Sequence, residues 1–299
     1  MTITFDSYGR RRIVNLVMTL AAFAAVGLAL LPLVSILYTA TVRGLPALGP
    51  GFLTDQTPLP CSGSACPHGG IGPAIEGTLI LISLASLISV PIGLMTGIFL
   101  SEYGSNTAGR TVRFLTDVMT GVPSIVVGIF TYTLFLYAAN AGYIQFDYIH
   151  SAISGAFAIS VIMIPIVART TDEALRLVPT STREAGLALG LPQWVVVSRI
   201  VLSSGRTAVV TGVLLGLSRA AGETAPLLVT ALGSLFLFRQ VNAPIGALPL
   251  TIYQLGLSPY SNWIDDAWGA ALVLVVMMLL INIGARVALK YGGPRGSTR

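Results

Sequence analysis

Apolar residues gather into six long runs, near Ile13–Tyr38, Ile75–Leu100, Val112–Tyr137, Ser151–Ala168, Thr207–Leu235 and Ala267–Leu289. At a helical rise of about 1.5 Å per residue, each run is long enough to cross a hydrocarbon layer about 30 Å thick. The pattern predicts an all-α polytopic membrane bundle of six transmembrane helices, one domain over 1–299. Polar residues then extend the fourth run, T-T-D-E-A-L-R-L-V, as helix to Pro179. Runs two and three are joined by the short S-E-Y-G-S-N-T-A-G-R, which predicts an antiparallel pair. Runs one to five each hold a proline (Pro32, Pro91, Pro123, Pro165, Pro226), expected to bend its helix. Bent helices fit a bundle around a pathway, but proline is also ordinary in membrane helices.

Composition supports this reading. The chain is 54% hydrophobic and only 10% charged, where soluble domains carry about 25% charged residues. The net charge of +5 resides in arginines between the apolar runs, so topology explains it better than nucleic acid does. With the amino terminus inside, the inner segments hold Arg10, Arg11, Arg12, Arg110, Arg113, Arg169, Arg176, Arg183, Arg199, Arg206, Arg286, Lys290, Arg295 and Arg299. The outer segments hold Arg43 and Arg239 alone. This bias predicts a multi-pass protein of the cell membrane with both termini cytoplasmic. It makes 43–72 an extracytoplasmic loop and 179–206 a cytoplasmic one. The first run exceeds the about 7–15-residue core of a signal peptide, so a retained span is expected rather than a cleaved leader.

Lys290 is the only lysine, so no G-x-x-x-x-G-K-[ST] loop exists and the chain does not hydrolyse nucleotides that way. In the first outer loop, P-C-S-G-S-A-C-P places Cys61 and Cys66 around a turn. Outside the cytoplasm a structural disulfide is permitted; two free thiols, or a metal site with His68, are the alternatives. No metal site is expected. The last outer loop, Phe236–Trp263, contains A-P-I-G-A-L-P-L-T-I-Y-Q-L-G, too short and proline-broken to span. It either dips into the bundle mouth or covers it as a plain loop.

Two stretches carry candidate chemistry. In the inner loop, Ser181-x-x-Glu184 reads as a capping box opening a short helix, Thr182–Leu189. Gly190 suits a left-handed cap, and a second helix, Gln193–Leu202, follows Pro192 after a sharp bend. The first helix is mostly Ala, Leu and Gly, a smooth apolar surface in water that invites a partner. In the fifth run, R-A-A-G-E-T-A-P sets Arg219 about 18 Å beyond Thr207, near mid-bilayer. A charge there costs at least about 2.5–3.5 kcal/mol, so it is a functional candidate by default. Glu223, four residues on, shares its face and can neutralise it. Both are expected to face the bundle interior. The blander reading is an ion pair that only locks helices.

Glu184-Ala185-Gly186, three residues, Gly190, nine residues, Ile200, one residue, Leu202 resembles the E-A-A-x(3)-G-x(9)-I-x-L-P loop of ABC importer permeases. Gly186 stands for the second alanine and Ser203 for the final proline. Across most of the chain, R-A-A-G-E-T-A-P-L-L, V-P-S-I-V-V-G-I-F, A-R-T-T-D-E-A-L-R-L-V-P, L-P-L-T-I-Y and N-I-G-A-R resemble the PstA-type permeases of phosphate-specific importers. The cysteine-bearing loop is not part of that pattern. The resemblance implies a type I ABC importer permease fold, half a pathway for inorganic phosphate. It implies a PstC-like permease, two copies of a PstB-like ATPase that bind the ATP and Mg, and an extracytoplasmic phosphate-binding protein. No cofactor is expected on this chain. Glu184, Ala185, Gly186 and Gly190 carry over as ATPase-coupling residues. Arg219, Glu223, Thr224 and Arg169 carry over to phosphate passage, although Arg169 at an inner helix end also suits snorkelling. Alternating access would then pass from Thr182–Leu189 to the fifth span. The rivals are an ion-driven secondary anion transporter, which predicts inverted repeats, and a phosphate-signalling membrane scaffold, which does not require Arg219.

Overall fold

The computed structural model describes residues 6–61, 69–144 and 149–291. Among these there is no strand, only an isolated bridge between Leu232 and Ile245. The helices are α1 (Asp6–Gly44), α2 (Gly72–Glu102), α3 (Thr107–Gly121), α4 (Ser124–Asn140), α5 (Ala152–Arg176), α6 (Thr180–Ala188), α7 (Gln193–Val195), α8 (Leu202–Ala221), α9 (Ala225–Thr230), α10 (Leu248–Gly256) and α11 (Ser261–Tyr291). A π-helical stretch, Val196–Val201, joins α7 to α8 without a break. Five helical segments are long and apolar enough to cross a membrane, counting Gln193–Ala221 as one, and the α3–α4 pair makes up to six.

Two apolar runs are not the rods their length suggests. The third is α3 and α4 meeting at 102°. Val122 between them is extended, with φ −70° and ψ 129°. A residue before proline is driven out of the helical region, and Pro123 then opens α4. The fifth run ends its first helix at Ala221, restarts at Ala225 with Pro226 in the opening turn, and leaves the helix after Thr230. Leu232 and Gly233 there have φ of 62° and 90°. Pro32, Pro91 and Pro165 instead lie inside uninterrupted helices. Of the five prolines, Pro123 and Pro226 thus lie at breaks and the other three do not.

α5 is the central post. Of its apolar stretch 61% is buried, against 6% for α11 and none for α1. It opens on a reciprocal cap, Ser151 Oγ accepting from Ser154 N and Ser154 Oγ from Ser151 N, both 3.2 Å. α2 meets it through Gly93 and Gly97: a Cβ on Gly97 would lie 2.5 Å from the Thr171 Cβ. α8 meets it through Gly212 and Gly216, the former against Thr170. Both flanks therefore use glycines four apart, which let helix backbones approach where no water drives them together. Leu81, Ile159, Met163, Val167, Ala220 and Leu227 fill the seam.

α10 lies in the 236–263 loop, which is thus not a plain covering loop. Leu248, Leu250 and Leu255 are buried, and Thr78 Oγ1 accepts from the Leu248 amide at 2.8 Å. That bond satisfies one of the amides a helix start leaves free. α1 packs on α11, with the Arg43 guanidinium 5.4 Å from the Trp268 ring centre.

Candidate functional site

The 179–206 loop begins with the helix α6, Thr180–Ala188. It begins earlier than a capping box at Ser181 requires. Pro179 is the flanking residue, so Ser181 already lies inside the helix and caps nothing. Pro179, extended with φ −58° and ψ 143°, is where the helix starts, and the first turn has no side-chain cap. Glu184, Ala185, Leu187 and Leu189 are exposed, as are Leu177 and Trp194 beside them. Gly186 faces inward, where a Cβ would stand 2.8 Å from the Ile200 Cδ1. Gly190 has φ 77°, a left-handed conformation that costs a side-chain-bearing residue about 1–2 kcal/mol.

The expected separate helix Gln193–Leu202 does not exist as such. From Gln193 to Ala221 the chain is helical throughout, with the π turn inside it. Ser203 lies in that continuous stretch; a proline there would remove a backbone donor from it. α6 therefore packs directly on the root of a helix that ends at Arg219–Ala221.

Arg219 occupies the last turn of α8, where its charge complements the helix's free carbonyls. Gly216, one turn before, sits against Val167 and Met163, placing Arg219 level with the middle of α5's apolar stretch. Arg219 Nε lies 3.7 Å from Glu223 Oε1, a loose ion pair across the break. The two do not share one environment. The Glu223 side chain is 14% exposed, but that of Arg219 is 62% exposed, which corrects the expectation that both face inward within this chain. Leu215 and Arg219, four residues apart on one side of α8, are both exposed, so no helix of this chain covers that side among the described residues. Thr224, half-buried, precedes α9, its side chain making no capping bond while its carbonyl accepts from Leu228 N at 3.1 Å. Ser218 on α8 is tied to α11 by Asn282 Nδ2, which donates to Ser218 Oγ at 2.9 Å.

Arg169 is not brought to this pair. Its neighbour Thr170 is level with Gly212, seven residues or about 10 Å along α8 from Arg219. It bridges Asp117 of α3 (3.2 Å) and Glu173 of α5 (3.1 Å). Beside it, Asp172 binds Arg113 (3.3 Å) and Arg176 (2.7 Å). These residues line a cleft between α3 and α5, its charges balanced pair by pair. Nothing in the sequence signals the pairing of Asp117 with Arg169, of Asp172 with Arg113, of Glu102 with Arg183 or of Asn282 with Ser218, because these partners are distant in the chain. Cys61 is not a free thiol but disulfide-bonded. Cys66 and His68 lie outside the described residues.

The family model described as "Binding-protein-dependent transport system inner membrane component" matches residues 89–296. The chain belongs to this family of inner-membrane components of binding-protein-dependent transport systems. Among curated relatives, it is 42% identical over 284 residues to the "Phosphate transport system permease protein PstA" of Xylella fastidiosa, covering 94% of each chain. It is 40% identical to the protein of that name from Pasteurella multocida, covering 93% of this chain and 95% of the relative. Among solved structures it resembles a chain of the MetNI methionine ABC transporter in an inward-facing conformation. The TM-score is 0.57 at 18% identity, covering 74% of this chain and 96% of that one. A bacterial ABC transporter that imports alginate gives 0.53 at 17% identity, covering 73% and 78%. These two similarities concern the fold, which is that of type I ABC importer permeases.

Proposed function

We propose that this chain forms half of the membrane pathway of an ATP-driven importer of inorganic phosphate. The observation that carries the reading is the uninterrupted helix from Gln193 to Ala221, which links the exposed helix α6 to Arg219. The relatives named as phosphate transport permeases support the cargo. So does the chemistry of Arg219, whose planar fork of donors matches a phosphate's oxygens.

The exposed side of Arg219 and Leu215 faces a second, PstC-like permease, and the pathway runs between the two chains. Two copies of a PstB-like ATPase supply the ATP and Mg chemistry and seat on α6 through Glu184, Ala185, Leu187 and Leu189. Both termini are cytoplasmic, and an extracytoplasmic phosphate-binding protein delivers the anion to the opposite side. Closure of the ATPases displaces α6, which rests through Gly186 on Val196 and Ile200. The displacement travels along the rigid helix, and the break at Gly222–Thr224 lets α8 move relative to α9. Arg219 thereby changes the side on which it is open. Glu223 competes with phosphate for the guanidinium, so the anion is held briefly and then leaves.

The test is to purify the chain from its native membrane, identify what accompanies it, and reconstitute it in vesicles. Recovery of an ATPase and a second six-span chain, with ATP-dependent uptake of labelled phosphate, is the expected result. A chain that transports alone under an ion gradient, or that accompanies a kinase and moves no phosphate, overturns it.

A further inference from the structure

On the face of α6 turned away from its exposed side, Arg183 makes the most complete set of bonds of any guanidinium among the described residues. Its Nε donates to both carboxylate oxygens of Glu102, at 3.1 and 3.2 Å, and its Nη2 to Oε1 at 2.7 Å. Nη2 also donates to the Leu175 carbonyl at 2.9 Å, and Nη1 to the Val178 carbonyl. Glu102 is the last residue of α2, and Leu175 is in the last turn of α5. One side chain from α6 therefore grips the inner ends of both α2 and α5. The grip is shielded, with Arg183 20% and Glu102 6% exposed.

We propose that the Arg183–Glu102 pair is a mechanical joint that makes α6 move as one body with α2 and α5, Arg183 acting as a positioning residue. The inference rests on the reading of α6 as the ATPase-coupling helix.

The main packing of α6 is on the π-helical turn, through Gly186 and the smooth side chains of Val196 and Ile200. Such apolar contact has no preferred direction and permits sliding. Flanking Pro179 and left-handed Gly190 leave α6 a short rod between two bends. A fork-to-carboxylate pair is directional, since both partners are planar and several bonds fix the angle between them. Buried pairs of this kind add little net stability compared with apolar packing, and specifying one arrangement is a role they serve well. Here the arrangement specified is that of α6 on the α2–α5 unit, itself locked by the Gly93 and Gly97 contacts. A push on α6 then reaches α8 by contact and α2–α5 by the joint, so the two sides of the seam at Arg219 respond to one stroke.

The test uses the whole reconstituted complex and the paired variant Arg183→Gln with Glu102→Gln, which leaves no unpaired buried charge and keeps hydrogen-bonding capacity. Spin labels at Thr180 and Met95 report the spacing of α6 from α2, with and without trapped ATP. In the unaltered complex the spacing stays constant between the two states. In the paired variant it changes or broadens, phosphate uptake falls about tenfold, and ATPase activity stays within about twofold. Restoring the pair in reverse, Arg183→Glu with Glu102→Arg, recovers part of the uptake. The joint is refuted if the paired variant keeps constant spacing, or if it transports at the normal rate. If the unaltered complex moves no phosphate, the proposed cargo falls while the spacing arm still decides the joint.

Discussion

Gly128 of α4 lies directly against Pro226 of α9: a Cβ on Gly128 would come within 2.7 Å of the Pro226 Cα. The contact joins the two broken runs at their breaks, since Gly128 follows the α3–α4 bend and Pro226 opens the helix after the Arg219–Glu223 gap. Gly128→Val forces the two apart and is expected to cost about 1–3 kcal/mol, the usual range for overpacking. Thermal unfolding of the purified complex measures it. Gly121→Ala, where nothing lies within 4 Å, should leave the melting temperature unchanged and serves as the control.

Arg219→Gln should abolish phosphate uptake while the complex assembles in normal amounts. Arg219→Lys keeps the charge but loses the planar fork, so uptake should fall without vanishing. Phosphate flux into vesicles, normalised to complex recovered, distinguishes these outcomes. Normal flux in Arg219→Gln would remove the residue from the pathway.

Glu223→Gln relieves the competition for the guanidinium. Half-saturation should move to lower phosphate concentration and maximal flux should decrease, because release becomes slower. A fall in flux with no change in half-saturation would mean that Glu223 only fastens the helix break.

Glu184 projects from α6 into solvent and makes no part of the buried grip at Arg183. Glu184→Lys should therefore leave this chain folded and inserted but reduce the ATPase recovered with it, as seen by co-purification. Gly190→Ala should act differently. Its φ of 77° strains any residue with a Cβ, at about 1–2 kcal/mol, so the end of α6 is displaced. Retained ATPase with reduced coupling of hydrolysis to uptake is the expected signature.

The apolar runs are legible in the sequence because hydrocarbon demands helix and because length sets the spans. The π turn at Val196–Val201 is not, since V-V-S-R-I-V gives no signal that its hydrogen bonds shift by one residue. Pro123 signals a kink, yet the bend reaches 102° because Val122 before it is extended. Ser181 and Glu184 have the spacing of a cap, but Pro179 starts the helix too early for that use. The cost of charge in hydrocarbon singles out Arg219 and Glu223, but says nothing about which chain shields them. The grip of Arg183 on Glu102 joins residues far apart in sequence, and each alone looks like an ordinary surface charge.

The outermost helix has one more consequence. α1 buries none of its apolar stretch, and its heel rests on Trp268 of α11 through Arg43 and Gly44. Its exposed side chains are therefore expected to tolerate exchange among apolar residues, provided that footing persists. Comparative variation should pool in this helix, while the glycine seams around α5 stay fixed.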